Sequence, residues 1–99
     1  MTMFAQLTTM LCLPEKLDEV AGLYEEHVLP LTQAQMGYRG LYLLLDRASG
    51  KAVAISLWDS EGDADSYAGS AQHQDQLTRL SAYLVATPYG QGYEVNVDA

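Results

Sequence analysis

The chain has 99 residues, which is the length of one domain with one hydrophobic core, so we predict a single domain over residues 1–99. Hydrophobic residues make up 48% and charged residues 18%, a composition typical of a folded globular protein. The net charge is −8 and the five basic residues are scattered, so neither nucleic acid nor an anionic membrane surface is an expected partner. Cys12 is the only cysteine, which excludes an intrachain disulfide and a cysteine-pair metal site.

The first predicted strand runs from Met3 to Leu13 and is followed by a helix that begins at Pro14. Proline suits the first helical position because its missing N–H is not needed there. Apolar residues then recur at helical spacing and predict one buried stripe: Leu17, Val20, Ala21, Tyr24, Val28 and Leu31. Pro30 should kink this helix or end its regular part near Leu29.

Two strands, Gly40 to Asp46 and Lys51 to Trp58, are predicted next, with a four-residue hairpin between them. Both strands have apolar residues at successive positions and not at every second position. Such near-continuous apolar runs indicate burial of both faces of the sheet.

The second helix is predicted to start after an N-cap at Asp59 or Ser60. Gly69 and the polar run from Gln72 to Gln76 weaken its middle, so a break is expected there. Pro88 ends the helical region.

The last predicted strand, Tyr89 to Val97, completes the order βαββαβ. Right-handed crossovers place both helices on the same face of the sheet. The order therefore predicts a ferredoxin-like α+β fold with an antiparallel four-stranded sheet. Because two helices can cover only one face, the other face needs a second protein surface, and we predict a homodimer.

The N-terminal stretch from Met1 to Leu13 is apolar but has no basic residue before it, and Gln6, Thr8 and Thr9 interrupt it. This is a poor match to a signal peptide and too short for a transmembrane helix. The expected location is the cytoplasm.

Three segments carry a family resemblance: Gly37-Tyr38-Arg39-Gly40 before a strand, Asp46-Arg47-Ala48-Ser49-Gly50-Lys51 at the hairpin, and Ile55-Ser56-Leu57-Trp58-Asp59-Ser60 before a helix. Together they resemble the antibiotic-biosynthesis-monooxygenase-like group of dimeric α/β barrels. The resemblance implies a homodimer whose two sheets face each other and close a barrel, with any ligand between a sheet and its helices. Members of this group include cofactor-free oxygenases of polyphenolic and quinol substrates, haem-degrading enzymes, and proteins of no known activity, so the fold alone does not give the function.

One feature of the oxygenases and haem-degrading relatives is missing. They resemble each other in having an asparagine on or near the first strand, whereas Met3 to Leu13 contains none. Gln6 and Thr8 are the nearest polar substitutes. The haem-degrading type also has a histidine on the second helix, where this chain has His73.

Trp58, Tyr42, Tyr67 and Arg39 are the candidate substrate-binding residues. Trp58 can stack on a flat aromatic ligand or fill the core, and by alternation it shares a strand face with small side chains, so we expect it at the wall of a pocket. Tyr42 and Tyr67 belong to a set of seven tyrosines, which suit either a pocket for a hydroxylated aromatic or partly buried core positions. Arg39 can pair with an anionic substrate group or form a surface ion pair.

His73 is the candidate catalytic residue, because an imidazole titrates near neutral pH and can act as a general base. Its polar neighbours are equally typical of a solvated helix face. His27 flanks the apolar stripe of the first helix and is a weaker candidate.

Three functions remain open from the sequence. The first is a cofactor-independent monooxygenase acting on a small aromatic or quinol-type substrate, because such a substrate can itself reduce O₂ once it is deprotonated. The second is a non-enzymatic dimeric protein that binds a small apolar or aromatic ligand, and the third is a haem-binding or haem-degrading relative. The sequence has no phosphate-binding glycine loop, no H-E-x-x-H and no G-x-S-x-G, so we expect no cofactor and no metal.

Overall fold

The computed structural model describes residues 2–99 and has the predicted order of strands and helical regions. The sheet has four strands in the order β2-β3-β1-β4, and every neighbouring pair is antiparallel. This confirms the ferredoxin-like α+β prediction. The strands are β1 (Phe4–Leu11), β2 (Tyr38–Asp46), β3 (Lys51–Trp58) and β4 (Tyr89–Glu94).

The last strand is shorter than predicted and ends at Glu94 instead of Val97. Glu94 is opposite Phe4, the first residue of β1, so the ladder has no further residues to pair with. One more backbone hydrogen bond follows, from the N–H of Val95 to the carbonyl oxygen of Met3 at 2.9 Å.

The first helical region is continuous and changes its winding three times. It consists of a 3₁₀ turn (Pro14–Lys16), α1 (Leu17–Leu23), a π turn (Tyr24–Val28) and α2 (Leu29–Gln33). The regular helix was expected to end near Leu29, but it ends at Leu23. Pro30 lies in the first turn of α2, where its missing N–H is tolerated, and the wider π turn precedes it.

The π turn changes which residues of the first helical region are buried. A regular helix would place Leu31 on the buried stripe, but the extra residue in the turn shifts the register by one. Thr32 is therefore buried at 1% exposure, and Leu31 is only half-buried.

The second helical region is divided into α3 (Glu61–Ala68) and α4 (Ala71–Ser81). Ser60 caps α3 by accepting a hydrogen bond from the N–H of Asp63, as predicted. The break falls at Gly69 and Ser70, and Ser70 caps α4 by accepting from the N–H of His73. Among residues 2–99, no helix is both long and apolar enough to cross a membrane.

One face of the sheet packs against the helices. Along β3 the residues at every second position, Ala52, Ala54, Ser56 and Trp58, are buried on that face. Ala52 and Ala54 pack with Met10, Leu17, Val20 and Leu80, among others, in the main core. Trp58 packs with Ala64 and Tyr67 in a second cluster.

The other face of the sheet is largely apolar and has no helix over it within residues 2–99. Tyr42 and Leu44 of β2 lie on it and are 58% and 51% exposed, and Tyr89 and Tyr93 of β4 are exposed on the same face. The sheet is open, so a single chain does not form a closed barrel.

Candidate functional site

A cavity lies between the helices and the sheet. Its volume is about 30 Å³, which is enough for one or two water molecules. Strands β1, β2 and β3, the π turn and helices α2, α3 and α4 all contribute side chains. The lining residues are Gln6, Thr8, Tyr24, Val28, Thr32, Leu41, Ala54, Ser56, Tyr67, Ala68, His73, Gln76, Leu77 and Leu80.

Trp58 supports one side of this cavity from behind. Its side chain is wholly buried, and its ring packs against Tyr67 with ring centroids 5.2 Å apart. The indole N–H donates to Ser56 Oγ at 2.9 Å, and Ser56 Oγ lies 3.4 Å from the carbonyl oxygen of Gln6. Trp58 therefore orients two lining residues, Tyr67 and Ser56.

The hydroxyl proton of Tyr67 is already used in a hydrogen bond. Thr32 has one O–H, which donates to the carbonyl oxygen of Val28 at 2.7 Å. The second contact of Thr32 Oγ1, 3.0 Å from the Tyr67 hydroxyl, must therefore be donated by Tyr67. Burial raises the pKa of Tyr67, although the hydrogen bond with Thr32 opposes this shift, so the phenol is neutral at pH 7. Tyr67 can accept a hydrogen bond from a ligand.

Four other polar side chains line the cavity and have free hydrogen-bonding groups. They belong to Gln6, Thr8, His73 and Gln76, and none of the side-chain hydrogen bonds between residues 2–99 involves them. Around them the lining is mainly apolar. A few polar groups in an apolar cavity is the usual composition of a small-molecule site.

His73 is the basic group of the cavity. It lies in the first turn of α4, and its ring packs edge-on against Tyr67 with centroids 4.9 Å apart. Burial lowers the pKa of His73, so the imidazole is neutral at pH 7 and has one nitrogen that can accept a proton. None of the fourteen lining residues is Asp, Glu, Lys or Arg.

The cavity does not have the ligands for a protein-bound metal ion. His73 is its only histidine, and it contains no cysteine or carboxylate. Elsewhere in residues 2–99, no three side chains of His, Cys, Asp or Glu are grouped so that they can hold a metal ion.

The sequence was also compared with known families. The model of the antibiotic biosynthesis monooxygenase family matches residues 3–78, which is most of the chain and includes every cavity residue except Leu80. The chain belongs to the antibiotic biosynthesis monooxygenase family. This confirms the family that the sequence resembles. No curated protein sequence matches the chain significantly.

Several solved structures are similar over nearly the whole chain. A monooxygenase from Streptomyces coelicolor in complex with the ligand nanaomycin D has a TM-score of 0.82 at 14% identity, covering 99% of this chain and 90% of that one. A putative antibiotic biosynthesis monooxygenase from Nitrosomonas europaea has a TM-score of 0.78 at 11% identity, covering 95% and 90%. A Mycobacterium tuberculosis protein has a TM-score of 0.75 at 18% identity, covering 98% and 97%. At these identities the similarity shows the fold.

The structure brings two of the five predicted site residues to the cavity, His73 and Tyr67. Trp58 was expected at the pocket wall, but it lies behind Tyr67 and Ser56 and does not line the space. Tyr42 lies on the opposite face of the sheet, because it alternates with Leu41 along β2. Arg39 is exposed and its guanidinium is 3.0 Å from the carboxylate of Asp59, so it forms a surface ion pair outside the cavity.

Thr32 and Gln76 are polar cavity residues that sequence reasoning did not single out as site candidates. A regular helical period places Leu31 on the buried stripe, and only a π turn brings Thr32 there. The signal was Pro30, which disturbs the winding before it. Gln6 and Thr8, considered as substitutes for the missing asparagine, do line the cavity.

Buried His73 predicts a pH dependence of stability. Its pKa in the folded protein lies below the value of about 6.5 in the unfolded chain, so the unfolded chain binds more protons between these two values. The free energy of unfolding should therefore fall as the pH is lowered through this window. Urea denaturation at several pH values should show this fall in the wild type and in His27→Gln, whose exposed ring lies outside the cavity. In His73→Gln the free energy of unfolding should fall less as the pH is lowered. A fall equal to that of the wild type would show that His73 does not cause the pH dependence.

Proposed function

We propose that this protein is a cofactor-independent monooxygenase that acts on a small aromatic or quinol-type substrate, with the cavity around His73 as its active site. The observation that carries the proposal is the convergence of one neutral imidazole and three free polar side chains, Gln6, Thr8 and Gln76, in an apolar cavity. Membership of the family supports the same reaction class, as does the S. coelicolor relative that binds nanaomycin D.

The residues of the cavity suit the first step of such a reaction. His73 removes the proton of a substrate hydroxyl or activated C–H, and Tyr67 can accept a hydrogen bond from a second hydroxyl. The substrate anion then transfers one electron to O₂, and the substrate radical and superoxide combine to form a C–O bond at a carbon that carries a hydrogen. The resulting peroxide anion takes back the proton held by His73 and becomes a hydroperoxide. Loss of water from the hydroperoxide gives a carbonyl group, so one oxygen atom enters the product and the other leaves as water.

The role of the protein in this scheme is to bind the substrate, accept the proton and exclude water. Valine, leucine and alanine side chains make up the apolar part of the lining. They limit the access of water to the substrate anion and to the radical pair, which would otherwise be quenched by protonation. The cytoplasmic location expected from the sequence remains part of this proposal.

Oxygen consumption with a panel of quinols and anthrones tests the proposed activity. We expect His73→Gln to lower kcat by about 10²-fold or more, because a general base contributes at least that much. His27→Gln is the matched control and should keep wild-type turnover, and a chelator should have no effect. The wild-type rate should decline only at a pH lower than the ordinary histidine pKa of about 6.5, because burial lowers the pKa of His73 and only its neutral form accepts the proton.

Other results would reject the proposal or select an alternative. Loss of turnover with chelator, or a His73→Gln variant as active as the wild type, would contradict the mechanism. Ligand binding without oxygen consumption would instead support the non-enzymatic binding protein. A shifted Soret band after the addition of haemin would support the haem-binding relative.

We also propose that the chain works as a homodimer through the open face of the sheet. Tyr42, Leu44, Tyr89 and Tyr93 form a broad apolar surface there, which monomers rarely leave exposed. A stable interface of this kind buries roughly 2,000 Å² or more in total.

Light scattering at micromolar concentration tests the dimer. The wild type should have twice the mass of the chain, and Leu44→Glu should shift it to the monomer because an unpaired charge would be buried in the interface. Met36→Glu, at an exposed apolar residue away from the sheet face, should remain a dimer. A monomeric wild type would show that the open face has another use.

A further inference from the structure

A groove lies next to the cavity, between the first helical region and β2. Its volume is about 230 Å³. Two of its side chains, Tyr24 and Leu41, also line the cavity, so the two spaces meet at these residues. The groove residues are Ala21, Tyr24, Glu25, Leu29, Leu41 and Leu43.

The cavity alone is too small for an aromatic substrate. Sites for drug-sized ligands have volumes of about 300–1,000 Å³, whereas the cavity has about 30 Å³. The adjoining groove supplies most of the missing volume once the side chains at the junction move apart. A molecule of two or three fused rings can then place its reacting ring near His73 and its outer ring in the groove.

Tyr24, a buried core residue, lies at this junction and has little polar anchoring there. Its hydroxyl makes one hydrogen bond, to the thioether sulfur of Met10 at 3.7 Å, and a thioether is a weak acceptor. Tyr24 is also the first residue of the π turn, a winding that occurs most often as a single turn and is frequent at functional sites. Displacing this side chain therefore breaks no strong polar contact.

The charges around the two spaces disfavour an anionic ligand. The cavity lining contains no Asp, Glu, Lys or Arg, and Glu25 is the only charged residue of the groove. The three arginines of the chain are each paired with an aspartate outside the two spaces. A carboxylate on the outer ring would lie near Glu25 with no cation to offset the repulsion.

We propose that the groove is the outer half of the ligand site, and that the site selects uncharged hydroxylated aromatics of two or three rings over their carboxylated analogues. The proposed oxygenase function supplies the reaction at the inner half, but the selection itself is a property of binding. It can therefore be tested without turnover.

Two probes of the same ring system test the charge selection. They are 2-hydroxymethylanthraquinone, which is neutral, and anthraquinone-2-carboxylate, and their dissociation constants are measured by quenching of Trp58, the only tryptophan. The wild type should bind the neutral probe at least about tenfold more tightly. Glu25→Lys should reduce this ratio by about tenfold or more. Glu26→Lys, with the same change in net charge at a neighbouring exposed residue outside the groove, should change it by less than about threefold. Equal ratios in the two variants would overturn the charge selection.

A second pair of variants tests whether the groove is occupied. Ala21→Leu adds apolar volume inside the groove and should weaken binding of the neutral probe by about tenfold. Gly22→Leu is the control, because a Cβ at Gly22 meets no atom within 4 Å and this residue does not line the groove. Equal affinity in the two variants would overturn the assignment of the groove.

The outcomes separate this inference from the proposed function. If the probes bind with the predicted selectivity but no quinol or anthrone is oxidised, the assignment of the groove is supported and the oxygenase function is rejected. If a three-ring substrate is oxidised but Ala21→Leu and Gly22→Leu have the same dissociation constants and the same KM, the oxygenase function stands and the groove fails.

Discussion

The contact between Trp58 and Tyr67 joins the sheet to the helical layer at the place where the cavity lies. Trp58 ends β3 and is wholly buried, and its ring rests on Tyr67 of α3. Tyr67 in turn donates a hydrogen bond to Thr32 of α2 and packs against His73 of α4. These two rings therefore link one strand with three helical segments, beside the main core formed by Leu17, Val20 and Leu80, among others. Trp58 orients Tyr67 and Ser56, which line the cavity, while its own ring does not line it.

The strands could be predicted from the sequence because their signals are local. The predicted and observed bounds of β3 are identical. Apolar and β-branched residues fill this strand, and a glycine and an N-cap serine flank it. The first helical region was harder to predict because the helical period was assumed to be regular. Pro30 indicates that the helix is disturbed, but a proline does not by itself specify a π turn in the residues before it. In the structure the π turn contains Tyr24 and Val28, both buried in the core, and Thr32 is buried after it.

The candidate site could be predicted only in part, for a related reason. Alternation along a strand gives the face on which a side chain lies, and it correctly placed Trp58 beside Ser56 and Ala54. Alternation does not show how far a side chain lies from a cavity. It therefore could not show that Tyr67 would lie between Trp58 and the cavity. His73 was assigned to a polar stretch, and only the break at Gly69 and Ser70 turns its ring toward Tyr67.

The fold of the solved structures is retained here at low sequence identity. The solved relatives named above are 11–18% identical, so the fold tolerates replacement of most side chains. Gln6 lines the same cavity as His73, so β1 supplies an amide group to the candidate site.

The most direct test of the site follows the two imidazole rings by NMR in protein labelled with ¹⁵N-histidine. The chain has only two histidines, His73 in the cavity and His27 exposed on the first helical region, so the second is an internal control. Stepwise addition of 2-hydroxymethylanthraquinone should shift the ring signals of His73 until the site is saturated and leave those of His27 unchanged. Binding of the probe with no change at His73, or with equal changes at both rings, would contradict a ligand site at this cavity.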